Sequence, residues 1–169
     1  TAKLTAPETL SGLAATGSPS AVVHVDADDA VRAAYADWNA CPGDPERANA
    51  VVEAIRSVLA AARATYPNAD YAVLVGGDDV IPFARLTDAT TLSNEAGYAE
   101  SFPAASALGG SLRRGKMLSD DPYLSTQPIA FLNRLLYVPD IVGGRLVETP
   151  AQIAAQVDRF LGGPTPGHL

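Results

Sequence analysis

Acidic residues follow two apolar runs of the sequence, one at 21–25 and the other at 71–75. If both runs form neighbouring parallel strands, their carboxyl ends meet at one edge of a sheet, which is where ligands collect in open α/β folds. Carboxylate oxygens at that edge are suitable ligands for Ca²⁺ or Mg²⁺. The acidic residues concerned are Asp26, Asp28, Asp29, Asp78 and Asp79.

A third acidic group, Ser119-Asp120-Asp121, lies directly before Pro122 and is compatible with a turn or with a cation site. Acidic residues are common in loops and at helix starts for purely local reasons, so capping and solvated loop charge are the competing interpretation. The candidate metal ligands are Asp78, Asp79, Asp120 and Asp121, with Asp26 and Ser119 as structural residues of the same sheet edge.

Nucleophilic catalysis has no complete set of residues in the sequence. A cysteine peptidase needs a thiol beside a histidine that accepts its proton. Cys41 lies before Pro42 in a break between two helical patterns, His24 lies within the run 21–25, and His168 lies in the C-terminal tail. A packed histidine is the favoured interpretation of His24. We therefore assign no catalytic residue from the sequence.

Composition and charge predict a folded domain that does not bind nucleic acid. The chain has 169 residues, of which 47% are apolar and 18% charged, and its net charge is −7. This composition is typical of a globular domain, and it lacks the clustered cations that nucleic-acid binding requires. Its apolar runs are shorter than the roughly 20 residues of a membrane-spanning helix. Because the chain starts at Thr1 and has no signal peptide, we expect a segment of a longer protein.

Short runs rich in β-branched residues predict the strands. The run 71–75 is apolar on both faces, as a central parallel strand would be. Residues 77–130 are predicted to be irregular, apart from a weak helix near 100–114. The other predicted strands are 21–25, 134–138 and 141–147, the last of which continues the third strand or forms an edge. Strands alternating with helices predict an α/β fold.

Capping residues and apolar stripes predict the helices. Val31, Tyr35 and Trp38 lie at helical spacing in the first helix. The second helix is predicted to begin with Asp44 as its cap and Pro45 at its first position. The last helix is predicted from a capping box at Thr149 and Gln152, a buried face of Ile153, Val157, Phe160 and Leu161, and an end at Gly162.

Four segments, taken in order, resemble the N-terminal part of the catalytic region of gingipain-type cysteine peptidases, which belong to the caspase-like clan. The segments are YAVLVGGDDVIPFARLTD, SNEAGYA, LSDDPY and LYVPDIVGGRLVETPAQIAAQVDRFL. They span about 71–161, and the segment 21–66 fits loosely. The ordered set carries the resemblance, since each segment alone is weak.

The resemblance implies a three-layer α/β/α fold with a short, mostly parallel sheet, similar to a caspase-like or flavodoxin-like subdomain. It also implies that the catalytic His and Cys follow strands beyond the last helix, so neither His24 nor Cys41 is assigned to that dyad. We therefore expect a non-catalytic subdomain at 21–162, preceded by a loose lead-in at 1–20 and followed by a tail at 163–169. Proteolysis of protein substrates would require a C-terminal half of the polypeptide, in a secreted or cell-surface protein.

Within the matched segments, Arg145 is expected to pair with one of the candidate carboxylates and so join loop ends at the sheet edge. Gingipains bind Ca²⁺ structurally, which favours calcium as the cation, although the resemblance identifies no ligand residue by residue. Gly144 is expected to allow close packing before Arg145, and Gly143 is expected to loosen the strand.

Two other functions are compatible with the sequence. One is a stand-alone flavodoxin-like or receiver-like binding module that holds Mg²⁺ and a phosphate, which needs a lysine near the carboxylates; Lys116 is the mid-chain candidate. The other is a structural interaction domain of a larger surface protein. The interaction domain differs from the peptidase hypothesis only in whether the full-length polypeptide continues into the His-Gly and Cys motifs of that family.

Overall fold

Helices and short strands are interspersed along the chain, and the mixed α/β class predicted from the sequence is confirmed. The computed structural model describes residues 20–162; the predicted tail and all of the predicted lead-in except Ser20 lie outside the described residues. The helices are α1 (Asp29–Ala40), α2 (Pro45–Thr65), α3 (Ala107–Arg113), α4 (Asp121–Leu124) and α5 (Pro150–Gly162). Short 3-10 helices cover Val25–Ala27 and Glu95–Ser101.

The strands are β1 (Tyr71–Val75), β2 (Ala84–Thr87), β3 (Lys116–Ser119), β4 (Ile129–Phe131), β5 (Arg134–Leu136) and β6 (Val142–Leu146). They pair two by two within residues 20–162. β1 and β6 form a short parallel sheet in which Tyr71 lies opposite Val142 and Val75 lies opposite Leu146. β2 pairs with β3, and β4 with β5, as antiparallel ladders. Helices α3 and α4 lie between the two parallel strands in sequence, as a crossover connection requires.

The core is formed by α1 and α2 packed with β2, α4 and one face of β1. Leu74 of β1 is buried in the same cluster as residues from both helices. Asp44 caps α2 by accepting a hydrogen bond from the Glu46 amide at 3.0 Å, with Pro45 at the first helical position, as predicted. Residues of the two helices that are essentially inaccessible to solvent are Val31, Trp38, Ala48, Val51, Val52 and Ile55. Burial of each larger apolar side chain contributes about 1.5–3 kcal/mol, which makes this cluster the main stabilising element.

The capping box of α5 is confirmed, but part of its predicted buried face is wrong. The Thr149 amide donates to Gln152 Oε1 at 3.1 Å, and the Gln152 amide donates to Thr149 Oγ1 at 3.4 Å. Ile153 and Val157 are buried, whereas Phe160 is 77% exposed. Helical spacing identified the apolar stripe correctly, but no element within residues 20–162 covers Phe160 at its C-terminal end.

The strand predicted at 21–25 is wrong. Residues 21–24 are irregular and exposed, and Val25 begins a 3-10 helix. β-branched residues favour a strand only where a partner strand and a packing surface exist, and residues 20–162 offer Val22 and Val23 neither. His24, interpreted as a packed residue, is exposed for the same reason.

The prediction that β1 is buried on both faces is also wrong. Leu74 points into the core, but Tyr71 is 76% exposed and Val73 is 61% exposed on the opposite face. On β6 the neighbouring Val142 is 63% exposed. The parallel pair therefore has one covered face and one open apolar face, which consists of Tyr71, Val73 and Val142.

Gly143, and not Gly144, allows a close approach on β6. A Cβ at Gly143 would lie 2.3 Å from Leu124 Cδ1, while a Cβ at Gly144 would meet no atom within 4 Å. The small residue lets α4 pack directly on the strand, so the expectation that Gly143 loosens the strand is wrong. In the described part of the chain, no helix is long and apolar enough to span a membrane.

The third predicted strand is one arm of a hairpin. β5 pairs with β4 through the turn Leu132–Asn133, in which both residues have positive φ, as a type I′ turn requires. At its base, Asp140 Oδ2 accepts hydrogen bonds from the Thr126 hydroxyl and, at 3.0 Å, from the Thr126 amide. This contact closes the segment that carries the hairpin.

Replacing Thr126 by valine is expected to raise the pKa of Asp140. The Thr126 hydroxyl, more than any other group, holds that pKa below its ordinary value of 3.8 because it donates to the ionised carboxylate. A depressed folded-state pKa stabilises the fold above pH 3.8 and the effect disappears as pH falls through the lower folded value. NMR titration of the Asp140 carboxyl group in wild type and Thr126→Val measures the change. An unaltered pKa in the variant would show that the hydroxyl does not bind the carboxylate.

Candidate functional site

The candidate site is the loop Gly76–Phe83, which follows β1, together with Asp120 and Arg145; we call it the strand-end rim. The chain turns at Gly76, whose φ of +131° is disfavoured for residues with a side chain. The Gly76 amide still donates to Leu146 O at 2.8 Å, so the loop starts where the parallel ladder ends. The rim is therefore at the carboxyl end of the parallel strands, as the sequence predicted for Asp78 and Asp79.

Replacing Gly76 by alanine is expected to destabilise the fold by about 1–3 kcal/mol, because the backbone conformation is strained for alanine. A Cβ at this position would also lie 2.6 Å from Val80 Cβ. Gly77→Ala is the matched control, since its Cβ would meet only Asp79 Oδ1, at 3.1 Å on a side chain that can move. Chemical denaturation of both variants measures the difference. Equal stability of the two would contradict the assigned turn geometry.

The first ion pair of the rim joins Asp78 to Arg85 of β2. Arg85 Nη1 lies 2.6 Å from Asp78 Oδ1 and Nη2 lies 2.6 Å from Oδ2, which is a bidentate pair. The Arg85 side chain is fully buried and that of Asp78 is 12% exposed. Arg85 Nε also donates to Ser111 Oγ at 3.2 Å, and the guanidinium lies 5.6 Å from the ring centre of Trp38. The pair thus joins the rim to α1, β2 and α3.

The second ion pair joins Asp120 to Arg145 of β6. Arg145 donates through Nε to Asp120 Oδ2 at 2.9 Å and through Nη2 to Oδ1. Its Nη1 donates to Gly76 O at 2.8 Å and to Ile81 O at 2.7 Å. The guanidinium lies 4.2 Å from the ring centre of Phe83, where it makes a cation–π contact. The carboxylate that the sequence expected Arg145 to contact is therefore that of Asp120.

Two tyrosines complete the hydrogen bonding of the loop. The Tyr123 hydroxyl donates to Pro82 O at 2.5 Å, and the Tyr35 hydroxyl donates to Val80 O. Burial is the main reason that the pKa of each phenol is raised above its ordinary value of 10.0. For Tyr35, Arg145 opposes this shift, and the nearby carboxylates, including that of Asp78, reinforce it. Both phenols therefore stay protonated at neutral pH and act as donors to the loop carbonyls.

The other predicted rim residues lie near this network but take no part in the two ion pairs. Asp79 is exposed, and the Asp121 amide donates to Ser119 Oγ at 3.1 Å, so that Ser119 starts the turn into α4. Asp26 is exposed, although it is close enough to Tyr35 to raise the pKa of that phenol. Asp28 caps α1 by accepting from the Ala30 and Val31 amides.

Two of the four candidate calcium ligands are already engaged by arginine side chains. Asp78 and Asp120 already bind guanidinium groups through both carboxylate oxygens. Within residues 20–162, no group of three or more His, Cys, Asp or Glu residues is placed so that it could hold a metal ion. Positive charge at the rim comes instead from Arg85 and Arg145. Calcium binding remains a prediction from the resemblance.

The calcium prediction is tested by the thermal unfolding midpoint in EDTA and in millimolar Ca²⁺. A cation that binds only the folded state raises the midpoint by mass action. A rise that Asp79→Asn abolishes would establish a site that includes the exposed rim carboxylate. Equal thermal unfolding midpoints in EDTA, Ca²⁺ and Mg²⁺ would contradict the prediction of a bound cation.

The residues that a receiver-like site or a cysteine nucleophile would need do not converge on the rim. Lys116, which a receiver-like site would need, pairs with Glu46 at 3.1 Å and lies at the far end of β3 from Asp120. Cys41 is exposed at the C-terminal end of α1, and His24 is exposed before the first 3-10 helix. The sequence interpretation did not identify Arg85; the signal available was a charged residue inside the otherwise apolar segment IPFARL.

Comparison with protein-family models, with curated protein sequences and with solved structures found no match to this chain.

Proposed function

We propose that this chain is a non-catalytic α/β subdomain of a gingipain-like cysteine peptidase, in which it builds part of the sheet and one wall of the substrate cleft. The observation that carries the proposal is the open apolar face of the β1–β6 pair. Parallel strands are normally covered on both faces, and a two-stranded sheet alone is marginally stable. A surface of this kind suits the addition of further strands and a second helical layer.

The geometry of the rim supports a scaffold role. Loops at the carboxyl ends of parallel strands carry the ligand-binding and catalytic groups of open α/β folds, so their positions must be fixed. Here the loop Gly76–Phe83 is fixed by two buried ion pairs, with Asp78–Arg85 on one side and Asp120–Arg145 on the other. Such a loop is rigid enough to form a cleft wall, while Asp78 and Asp120 are already paired with arginines and the two tyrosines that donate to the loop stay protonated.

The chemistry would come from the rest of the polypeptide. In a peptidase of this type, a cysteine thiolate attacks the peptide carbonyl and a histidine acts as acid and base. The partners of this chain would then be the C-terminal part of its own polypeptide and, through the complete enzyme, protein substrates. The same resemblance supports a secreted or cell-surface location.

The proposal is tested by casein hydrolysis with two proteins, the 169-residue chain and the natural polypeptide that contains it. We expect the natural polypeptide to hydrolyse casein, and iodoacetamide to abolish this activity. We expect the isolated chain to be inactive. Cys41→Ala in the natural polypeptide is the matched control and should leave the rate unchanged, because Cys41 lies outside the proposed catalytic dyad.

Three results would contradict the proposal: a natural polypeptide without thiol-dependent activity, activity that depends on Cys41, or a coding sequence that lacks a strand-end His-Gly motif and cysteine after Leu169. The first or third result, with an intact fold, would favour the structural interaction domain.

A further inference from the structure

The β4–β5 hairpin has a second apolar surface, separate from the open face of β1–β6. Six large apolar side chains between 129 and 138 are 38% to 73% exposed, including Leu132 at 73% in the turn. We call residues 129–138 the apolar hairpin. Ile129, Phe131 and Leu136 share one face of the ladder, and Leu135 lies on the other, so neither face is fully covered. Exposed apolar area on this scale marks an interaction surface.

The outer edge of β4 has free backbone groups at its centre. Phe131 and Arg134 flank the two-residue turn, so they form the hydrogen-bonded pair of the ladder. The next pair, Ala130 and Leu135, is then a non-hydrogen-bonded pair whose N–H and C=O groups point away from the hairpin. Within residues 20–162, β4 has no neighbour other than β5, so the Ala130 groups face an open edge.

We propose that the apolar hairpin is a self-association site at which β4 pairs antiparallel with β4 of a second copy of this chain. A two-fold axis at Ala130 pairs its N–H and C=O with those of the partner's Ala130. The same register places Ile129 of each copy opposite Phe131 of the other, which is an aromatic and β-branched cross-strand pair. The edge is therefore self-complementary, as a closed two-fold interface requires.

The proposed seam is free of charged side chains, so pairing two copies there has no desolvation cost from a charge. Arg134 is the only residue from Thr126 to Val138 with a formal charge at neutral pH, and it lies on β5, away from the proposed β4 seam. The seam thus buries no charge. The whole chain has 12 Lys and Arg against 19 Asp and Glu, a net charge of −7, which opposes both an anionic membrane and a second copy; between two copies the repulsion is screened at physiological salt.

The available area suits a weak dimer. With large side chains that offer roughly 150–200 Å² each when free, the apolar hairpin leaves about 500 Å² open to water. Two copies would remove at most about 1,000 Å², which is at the lower limit for a specific interface. We expect dissociation constants in the micromolar range or above for such an area.

Sedimentation velocity at protein concentrations from about 1 to about 500 μM tests the proposal, since weak interfaces associate in this range. Wild type should shift from monomer to dimer as the concentration rises. Ala130→Pro removes the outward N–H without removing a hydrogen bond within the hairpin, and proline is tolerated on an edge strand in that position. We expect this variant to remain monomeric with an unchanged unfolding midpoint. Leu135→Pro is the matched control: it makes the same change on the outer edge of β5 and should still dimerise.

The proposal fails if wild type is monomeric over the whole range, if Ala130→Pro associates as wild type does, or if Leu135→Pro alone abolishes association. If Ala130→Pro loses its native circular dichroism spectrum, Phe131→Lys decides, because it puts a charge at the seam and should abolish dimerisation. A monomeric wild type that sediments with phosphatidylcholine vesicles would identify the hairpin as a lipid contact and overturn self-association.

Discussion

Replacing Arg85 by alanine is expected to lower the free energy of unfolding by about 3–5 kcal/mol, the usual effect of breaking a buried ion pair. The Arg85 side chain is fully buried, and its removal leaves the carboxylate of Asp78 without its bidentate partner at 12% exposure. Ser111 also loses a hydrogen bond and Trp38 a cation–π contact. Urea denaturation followed by tryptophan fluorescence measures the change, because Trp38 is the only tryptophan in the chain and is buried.

A double-mutant cycle shows whether the effect comes from the pair. The cycle consists of Asp78→Ala, Arg85→Met and the variant with both changes. The double variant removes both charges, so it should be less destabilised than the sum of these two single variants. Arg32→Ala is the control, because Arg32 pairs with Asp29 at side-chain exposures of 54% and 95%. A pair so exposed contributes little to stability, so the unfolding midpoint of Arg32→Ala should match that of wild type. Additive effects of the Asp78 and Arg85 variants would show that the pair does not hold the loop.

Replacing Arg145 by alanine is expected to have the second large effect, lowering the free energy of unfolding by about 3–5 kcal/mol. The Arg145 side chain is 6% exposed, and its removal leaves the Asp120 carboxylate unpaired. It also leaves Gly76 O and Ile81 O without their donors from Nη1. Unlike Arg85, this residue lies on the parallel sheet, so its loss should release the rim from β6 without loosening β2.

The Arg145→Lys variant separates charge from geometry. An ammonium group keeps the positive charge but cannot form a bidentate pair with Asp120 and reach both loop carbonyls. We expect its stability to lie between wild type and Arg145→Ala, with faster amide hydrogen exchange in residues 76–83. If Arg145→Lys were as stable as wild type, only the charge would matter at this position. That result would contradict the role assigned here to the guanidinium geometry.

Helices were predictable because their determinants are local. Asp44 with Pro45 and Thr149 with Gln152 are short motifs, and each acts on the backbone amides next to it. Strands were less predictable because a strand needs a partner elsewhere in the chain. The run 21–25 has strand-forming residues but no partner strand in the described part of the chain, whereas β2 and β3 pair across a gap that the sequence pattern shows as irregular.

The position of the rim was predictable from the sequence, but the partners of its carboxylates were predictable only in part. Asp78 follows an apolar run, and this placed it at a strand end, where it does lie. Its partner Arg85 could not be found from spacing, because a charged residue in an apolar segment is equally compatible with an exposed strand position. Whether the Asp78 carboxylate pairs with an arginine or stays in solvent depends on the packing between β2, α1 and α3, which brings Arg85 next to it.

Amide hydrogen exchange of β1 and β6 tests the central claim most directly, because it reports on the surface that the proposed catalytic part would cover. In a two-stranded parallel sheet, part of the amides of each strand point away from the partner strand and exchange readily. We predict that these amides exchange at least about tenfold more slowly in the natural polypeptide than in the 169-residue chain, since added strands protect them. Identical exchange of β1 and β6 in the two proteins would contradict the claim that this chain contributes part of a larger sheet.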